Sequence, residues 1–149
     1  VESNAALVRF CQTLIAFRRG QPTVRRPDFL NGQVVDGQTL PDVSWFGDDG
    51  RASDWTSEAS HLICLLAAPG AEDDPEGAGR DVMLLLNGTA EPSQFILPRA
   101  AKGTPWRLFV DTAADSPKDI YPKLDGPSLP RSPKITLPDR SLRCYVATK

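Results

Sequence analysis

The hydrophobic period of this chain changes once, between Gly20 and Pro22, and that change limits what the chain can fold into. Ahead of it, Leu7, Phe10, Cys11, Leu14 and Ile15 recur at the spacing of one helical face. Ser3 and Asn4 precede the pattern as candidate caps, and Gly20 and Pro22 follow it as stops, which predicts one helix from about Asn4 to Arg19. Behind the change only short apolar or alternating runs occur: Val43 to Phe46, Leu62 to Leu66, Val82 to Leu86, Gln94 to Leu97, Trp106 to Val110, Ile135 to Leu137 and Leu142 to Ala147. Each has the length and residue types of a strand. A helix followed by a series of short strands broken by turns predicts a mainly β chain, an antiparallel β-sandwich of Greek-key type preceded by one N-terminal α-helix.

The runs differ in a way that predicts their surroundings. Leu142, Cys144 and Val146 alternate with Arg143 and Tyr145, as expected of a strand with one wet side. "DVMLLLN" (81–87) is apolar throughout, as expected where both faces are covered. Asn87-Gly88 reads as a tight hairpin turn into the next run, and Asp49-Gly50 as a second such turn. "APGAEDDPEGAGR" (68–80) is glycine-rich and acidic and reads as a mobile surface loop, with Glu72, Asp73, Asp74 and Glu76 solvated. Residues 115–134, with five prolines, read as a long irregular crossover.

A length of 149 residues suits one domain with an appendage. The net charge of -2 gives no basic excess for a nucleic acid or an acidic membrane. No run approaches the roughly 18 apolar residues of a membrane span, and the N-terminus lacks the pattern of a secretory leader, so a cytoplasmic location is expected. Cys11, Cys64 and Cys144 are odd in number, far apart and set in apolar stretches, which predicts buried free thiols. A start at Val1 that runs almost directly into a helix fits a piece of something longer.

Residues that carry chemistry are few. His61 is the single histidine, so paired zinc ligands and proton relays through two imidazoles are excluded. A Ser-His-Asp triad would have to form around His61, and no G-x-S-x-G elbow is present; a cleft holding two carboxylates beside His61 would reopen an enzymatic reading. "GDDG" (47–50) lacks the ligand spacing of a calcium loop, and no phosphate-binding glycine motif follows a strand, so no metal or cofactor is expected. Among the tryptophans, Trp106 alternates with Leu108 and Val110 as a core residue would. Trp45 and Trp55 are open to three readings: core, interface or a platform for sugar rings.

The stretches "LVRFCQTLIAFRRGQPTVRRPDFLNG", "DVSWFGDDGRASDWT", "DVMLLLNGTAEPSQFILP", "WRLFVDTA" and "ITLPDRSLRCYVA" resemble, in order, the C-terminal end of isoamylase-type glycogen debranching enzymes of glycoside hydrolase family 13. The most telling parts are R-R-x-x-F-L-x-G (Arg25 to Gly32) and D-V-x-W…D-G…D-W (Asp42 to Trp55). The resemblance implies that residues 1–22 are the last helix of an absent catalytic (β/α)₈ barrel and residues 23–149 a C-terminal β-sandwich domain. It also implies a parent that hydrolyses α-1,6 branch linkages in glycogen or limit dextrins. A barrel takes about 250 residues, and the family's catalytic carboxylates lie upstream in it, so no catalytic residue maps onto this chain. The expected role is structural, with Phe10, Leu14, Arg18, Arg25 and Arg26 at the interface between the parts. Without its barrel, the helix must bury its stripe on the sandwich or on a second copy in a helix-mediated homodimer. The competing readings are an autonomous carbohydrate-binding module using Trp45 and Trp55, and an Ig-like interaction domain unrelated to sugars.

Overall fold

In a computed structural model, which describes residues 2–34, 38–56, 58, 60–132 and 134–148, the chain begins with helix α1 (Glu2–Gly20). Seven strands follow among the described residues: β1 (Val43–Phe46), β2 (His61–Leu66), β3 (Val82–Asn87), β4 (Ser93–Ile96), β5 (Trp106–Asp111), β6 (Lys134–Leu137) and β7 (Ser141–Ala147). Each matches one of the seven apolar runs. All pairings are antiparallel, in a five-stranded sheet ordered β1-β2-β3-β7-β5 and a two-stranded sheet of β4 and β6. Helix α1 starts at Glu2, ahead of both Ser3 and Asn4, so neither stands outside the helix as a cap.

The large sheet has two apolar faces. Alternation along β2, β3 and β7 sends Ile63, Leu65, Met83, Leu85 and Tyr145 toward β4 and β6, where they meet Phe95, Ile135 and Leu137. The residues between them, including Val82, Cys144 and Val146, point the other way into a second cluster that receives Phe10 and Phe17 of α1. A register shift in β5 between Leu108 and Val110 lets the consecutive Phe109 and Val110 both join this second cluster. Phe17 stacks on Phe109 with ring centroids 4.2 Å apart.

Several expectations need correction. Strand β7 has no wet side: it lies between β3 and β5, Tyr145 is buried, and the Arg143 guanidinium donates to the Asp111 carboxylate at 2.8 Å. Asn87-Gly88 is not a hairpin turn, because β3 and β4 belong to different sheets. The Asn87 side chain instead builds the corner between them, accepting from the Thr89 backbone N–H and hydroxyl and donating to the carbonyls of Glu91 and Pro138. Asp49-Gly50 does form a tight turn: the Gly50 N–H donates to the Gly47 carbonyl, and its φ of +73° is one glycine adopts without strain. Segment 68–80 folds around Asp74, which is buried and accepts from the backbone N–H groups of Ala78 and Gly79. Glu72, Asp73 and Glu76 are exposed as expected. Residues 115–132 form the irregular crossover, touching β5 through isolated bridges at Ile120 and Ser128; residue 133 lies outside the described residues.

All three thiols are free, but Cys11 is exposed. Cys64 and Cys144 share one row across the sheet through Leu84, two strand spacings or roughly 10 Å apart, beyond the reach of a disulfide. Burial pushes the Cys64 thiol up to about 11. Burial, reinforced by nearby Cys64, pushes the Cys144 thiol up to about 12. Both are therefore protonated and unreactive near neutrality. A thiol titration with an aromatic disulfide reagent at about pH 8 is expected to count Cys11 alone in the folded chain and all three thiols in denaturant.

Candidate functional site

Helix α1 meets the sandwich along one side only. Phe10 and Phe17, two turns apart, face the sheet. Leu14 lies half exposed at an apolar crevice of about 360 Å³ between the helix and Leu84, Phe109 and Leu142. Next to this side the helix carries a second apolar stripe, in which Leu7, Val8 and Ile15 are 62%, 53% and 52% exposed and Cys11 is exposed beside them. The five residues expected on one face therefore divide. Phe10 and Leu14 turn toward the sheet, while Leu7, Cys11 and Ile15 turn away from it.

The arginines divide as well. Arg18 folds back to donate to the Val24 carbonyl at 2.6 Å, closing the helix end. Arg26 donates to the Ala67 carbonyl and holds the linker against the large sheet. Arg25 is exposed. Farther along, the buried Asp42 carboxylate accepts from three backbone N–H groups, those of Asn31 at 2.9 Å, Gly32 at 2.8 Å and Val43 at 2.6 Å. One aspartate thus binds the end of R-R-x-x-F-L-x-G to the start of β1. Phe29, in the middle of that motif, is left 98% exposed.

The second gathering of candidate residues is at the far edge of the large sheet. Trp45 on β1 occupies the same cross-strand row as Cys64, Leu84 and Cys144, so it projects from the face that α1 covers elsewhere. After the Asp48 to Arg51 turn the chain folds back on β1: Ala52 bridges Phe46, and the Ser53 N–H donates to the Trp45 carbonyl. Asp54 then accepts from the backbone N–H and the hydroxyl of Thr56, which fixes the backbone on either side of Trp55. The Asp54 carboxyl is held below its ordinary value by these two bonds, the hydroxyl's first. The two indoles meet edge to face, with centroids 5.7 Å apart and planes at 75°. Both remain open, Trp45 at 39% and Trp55 at 64% exposure, whereas Trp106 is buried with its indole N–H donating to Ala101.

A groove of about 300 Å³ opens at the 47–54 turn, lined by Asp48, Asp49, Asp54, Glu58 and His61 among others. This is a cleft with carboxylates near His61, and Ser93 adds a third element: its hydroxyl lies 2.7 Å from His61 Nε2. The order Asp48, His61, Ser93 is that of a hydrolytic relay, and its signal was hidden in sequence because the three meet only through sheet pairing. Its geometry serves another purpose. His61 Nδ1 is 3.7 Å from the Asp48 carboxylate, beyond hydrogen-bond distance, and Ser93 stands at the start of β4 outside the residues lining the groove. The Ser93–His61 bond joins the small sheet to the large one, next to the bond from the Ile96 N–H to the Asp48 carbonyl.

Comparison with known proteins bears on both gatherings. No family model matches the chain. It is 26% identical over 106 residues to an isoamylase of Flavobacterium sp, covering 70% of this chain and 13% of that protein. It is 27% identical over 115 residues to isoamylase 3, chloroplastic, of Oryza sativa subsp. japonica, covering 77% and 12%. An isoamylase of Pseudomonas amyloderamosa is 26% identical over 107 residues, covering 69% and 12%. The chain resembles the isoamylases. It spans about 12 to 13% of the length of these relatives, so an isoamylase contains a great deal of chain with no counterpart here.

Two substitutions test the geometry. Asp42→Ala leaves three backbone donors without their acceptor in a buried place and is expected to cost about 3 kcal/mol of stability, with Asp42→Asn costing less, as measured by urea unfolding. Ser93→Ala is expected to cost about 1 kcal/mol and to leave the rate of p-nitrophenyl acetate hydrolysis at the level of the unsubstituted chain.

Proposed function

We propose that this chain is a non-catalytic domain of a glycogen debranching enzyme, and that it packs against the enzyme's catalytic barrel through the outer stripe of α1. The observation that carries this reading is that stripe. Three aliphatic side chains, Leu7, Val8 and Ile15, stand exposed on a helix that already has its other side against the sandwich. Completing their burial would contribute roughly 2 to 5 kcal/mol. A monomer gains nothing from such a surface, and a neighbouring domain gains an anchor. Similarity to isoamylases over most of this chain, but a small part of theirs, supports a neighbouring domain.

On this reading residues 1–22 belong structurally to the barrel and residues 23–149 form the domain attached to it. Phe10 and Leu14 tie the two together, and Arg18 and Arg26 set the direction of the linker. Arg25 and Phe29 extend the contact past the helix. Hydrolysis of α-1,6-glucosidic linkages in glycogen or limit dextrin belongs to the parent, whose carboxylates act from the barrel, and the whole would work in the cytoplasm. No helix among the described residues is long and apolar enough to cross a membrane.

The test has two arms. The 149-residue chain alone is expected to release no reducing ends from glycogen; release would overturn the non-catalytic assignment. In the polypeptide that joins this chain to a barrel, Leu7→Glu with Ile15→Glu is expected to lower the thermal midpoint and the debranching rate together. An unchanged midpoint would overturn the docking role of α1. For the chain alone, sedimentation will show whether two copies cover the stripe for each other, and the same pair of substitutions then returns the monomer.

A further inference from the structure

We propose that a cavity at the β5 edge of the sandwich binds a small phosphate monoester, with the ester's ring-shaped body on an apolar floor and its phosphate against Lys102 and Arg131. The cavity holds about 720 Å³, within the range of small-molecule sites, and opens where the chain passes from β4 to β5 and where the crossover approaches β6. Leu97, Ala101, Trp106 and Leu129 line it from the core around Phe95, so its floor is apolar.

The charge at this cavity has one sign. Its charged lining residues are Lys102, Arg107 and Arg131, with no aspartate or glutamate, although the whole chain carries 19 acidic residues against 17 basic ones. Among the described residues no ion pair engages any of the three. They do not act alike. Arg107 shares a cross-strand row with Val146, on the sheet face that α1 covers, and its guanidinium donates to the Gly126 carbonyl at 3.3 Å. It adds to the positive potential from behind the sheet rather than by contact. Lys102 and Arg131 instead lie exposed on the two connections that flank the opening. Ser132 supplies a further donor, because its oxygen already accepts from the Lys134 N–H at 3.2 Å and its hydroxyl proton is left for a ligand. An ammonium, a guanidinium and a hydroxyl suit the oxygens of a phosphate dianion. Inorganic phosphate would leave the floor uncovered, whereas an ester with a ring beside its phosphate covers both parts.

The walls are held by the fold itself. The Leu129 N–H donates to the Trp106 carbonyl at 3.0 Å and the Leu108 N–H to the Pro127 carbonyl at 2.9 Å, which fixes the crossover along β5. The Trp106 indole N–H donates to the Ala101 carbonyl at 2.8 Å and the Lys102 N–H to the Arg99 carbonyl at 3.1 Å, which fixes the other wall. Binding then orders two long side chains rather than a loop, and costs correspondingly less. Trp106 and Leu129 belong to the core on one side of the large sheet and α1 covers the other, so a partner seated on the helix and a ligand in the cavity occupy opposite faces.

Isothermal titration of the 149-residue chain at low ionic strength tests the proposal. The probes are ribose 5-phosphate, AMP, inorganic phosphate and adenosine. Saturable heat is expected from at least one of the two esters at millimolar concentration, weakening as salt rises, with inorganic phosphate and adenosine each at least about tenfold weaker. The tighter ester names the source, a sugar phosphate or a nucleotide. Lys102→Gln with Arg131→Gln is expected to weaken the ester at least about tenfold while the thermal midpoint of the unliganded chain stays unchanged. Lys123→Gln, an exposed cation elsewhere on the crossover, is expected to change nothing. Absence of saturable heat from both esters, inorganic phosphate or adenosine binding as tightly as the ester, or a loss with Lys123→Gln equal to that of the double variant would each overturn the proposal. Such a failure leaves the debranching reading standing, since that rests on α1 and on the parent's activity.

Discussion

A sheet with two apolar faces must be covered twice, and most of this structure follows from how the five-stranded sheet meets that demand. On one face the short β4–β6 ladder closes a core of large side chains around Phe95 and Leu137. It is too narrow to do more. The other face is covered by α1 and by the crossover residues Ile120 and Leu124, over β3, β7 and β5. Burial on both sides is what turns β7 into a central strand, raises the Cys64 and Cys144 thiols, and obliges Arg143 to find Asp111. The helix thus buries Phe10 and Phe17 against the sheet even though it precedes the β region in sequence, and its remaining apolar stripe is what is left over after that burial.

Leaving a helix for a sheet requires the connecting backbone to be held, since it cannot join either ladder. Arg18, Arg26 and Asp42 do this in succession, each using a charged group on backbone atoms rather than an ion pair. Charge-assisted bonds of this type are stronger than neutral ones and specify direction. The motif R-R-x-x-F-L-x-G accordingly has a physical reading: its second arginine and its final glycine are fixed to the sandwich, and Phe29 between them is held out in solvent.

The strands were legible because their apolar runs are short and separated by clear turn residues, so local pattern and tertiary structure agree at all seven. The helix was legible as a helix but not in its orientation. Its apolar arc, from Val8 and Ile15 round to Phe10 and Phe17, is wider than one face, and periodicity alone cannot say which part of a wide arc meets the sheet. Asn87-Gly88 misled for a related reason: the dipeptide favours a tight turn locally, yet Asn87 uses both ends of its amide to bind Thr89, Glu91 and Pro138 and so turns the chain into the other sheet. Composition placed Asp74 in solvent with its acidic neighbours because a carboxylate that caps backbone N–H groups looks like any other acid in sequence. The Trp45–Trp55 pairing was equally hidden, since it depends on a return of the chain to β1 that is held by a single bridge at Phe46 and Ala52 and the two backbone hydrogen bonds about it.

The large sheet is finished differently at its far edge. Its helix-side face is covered by α1 only as far as the strands under Phe10 and Phe17, and β1 lies beyond that cover. An edge strand there is exposed to unwanted pairing, and the fold-back of residues 52 and 53 blunts it. The fold-back that protects the edge is also what brings Trp55 to Trp45. Protection of β1 and the meeting of the two indoles are therefore one structural event.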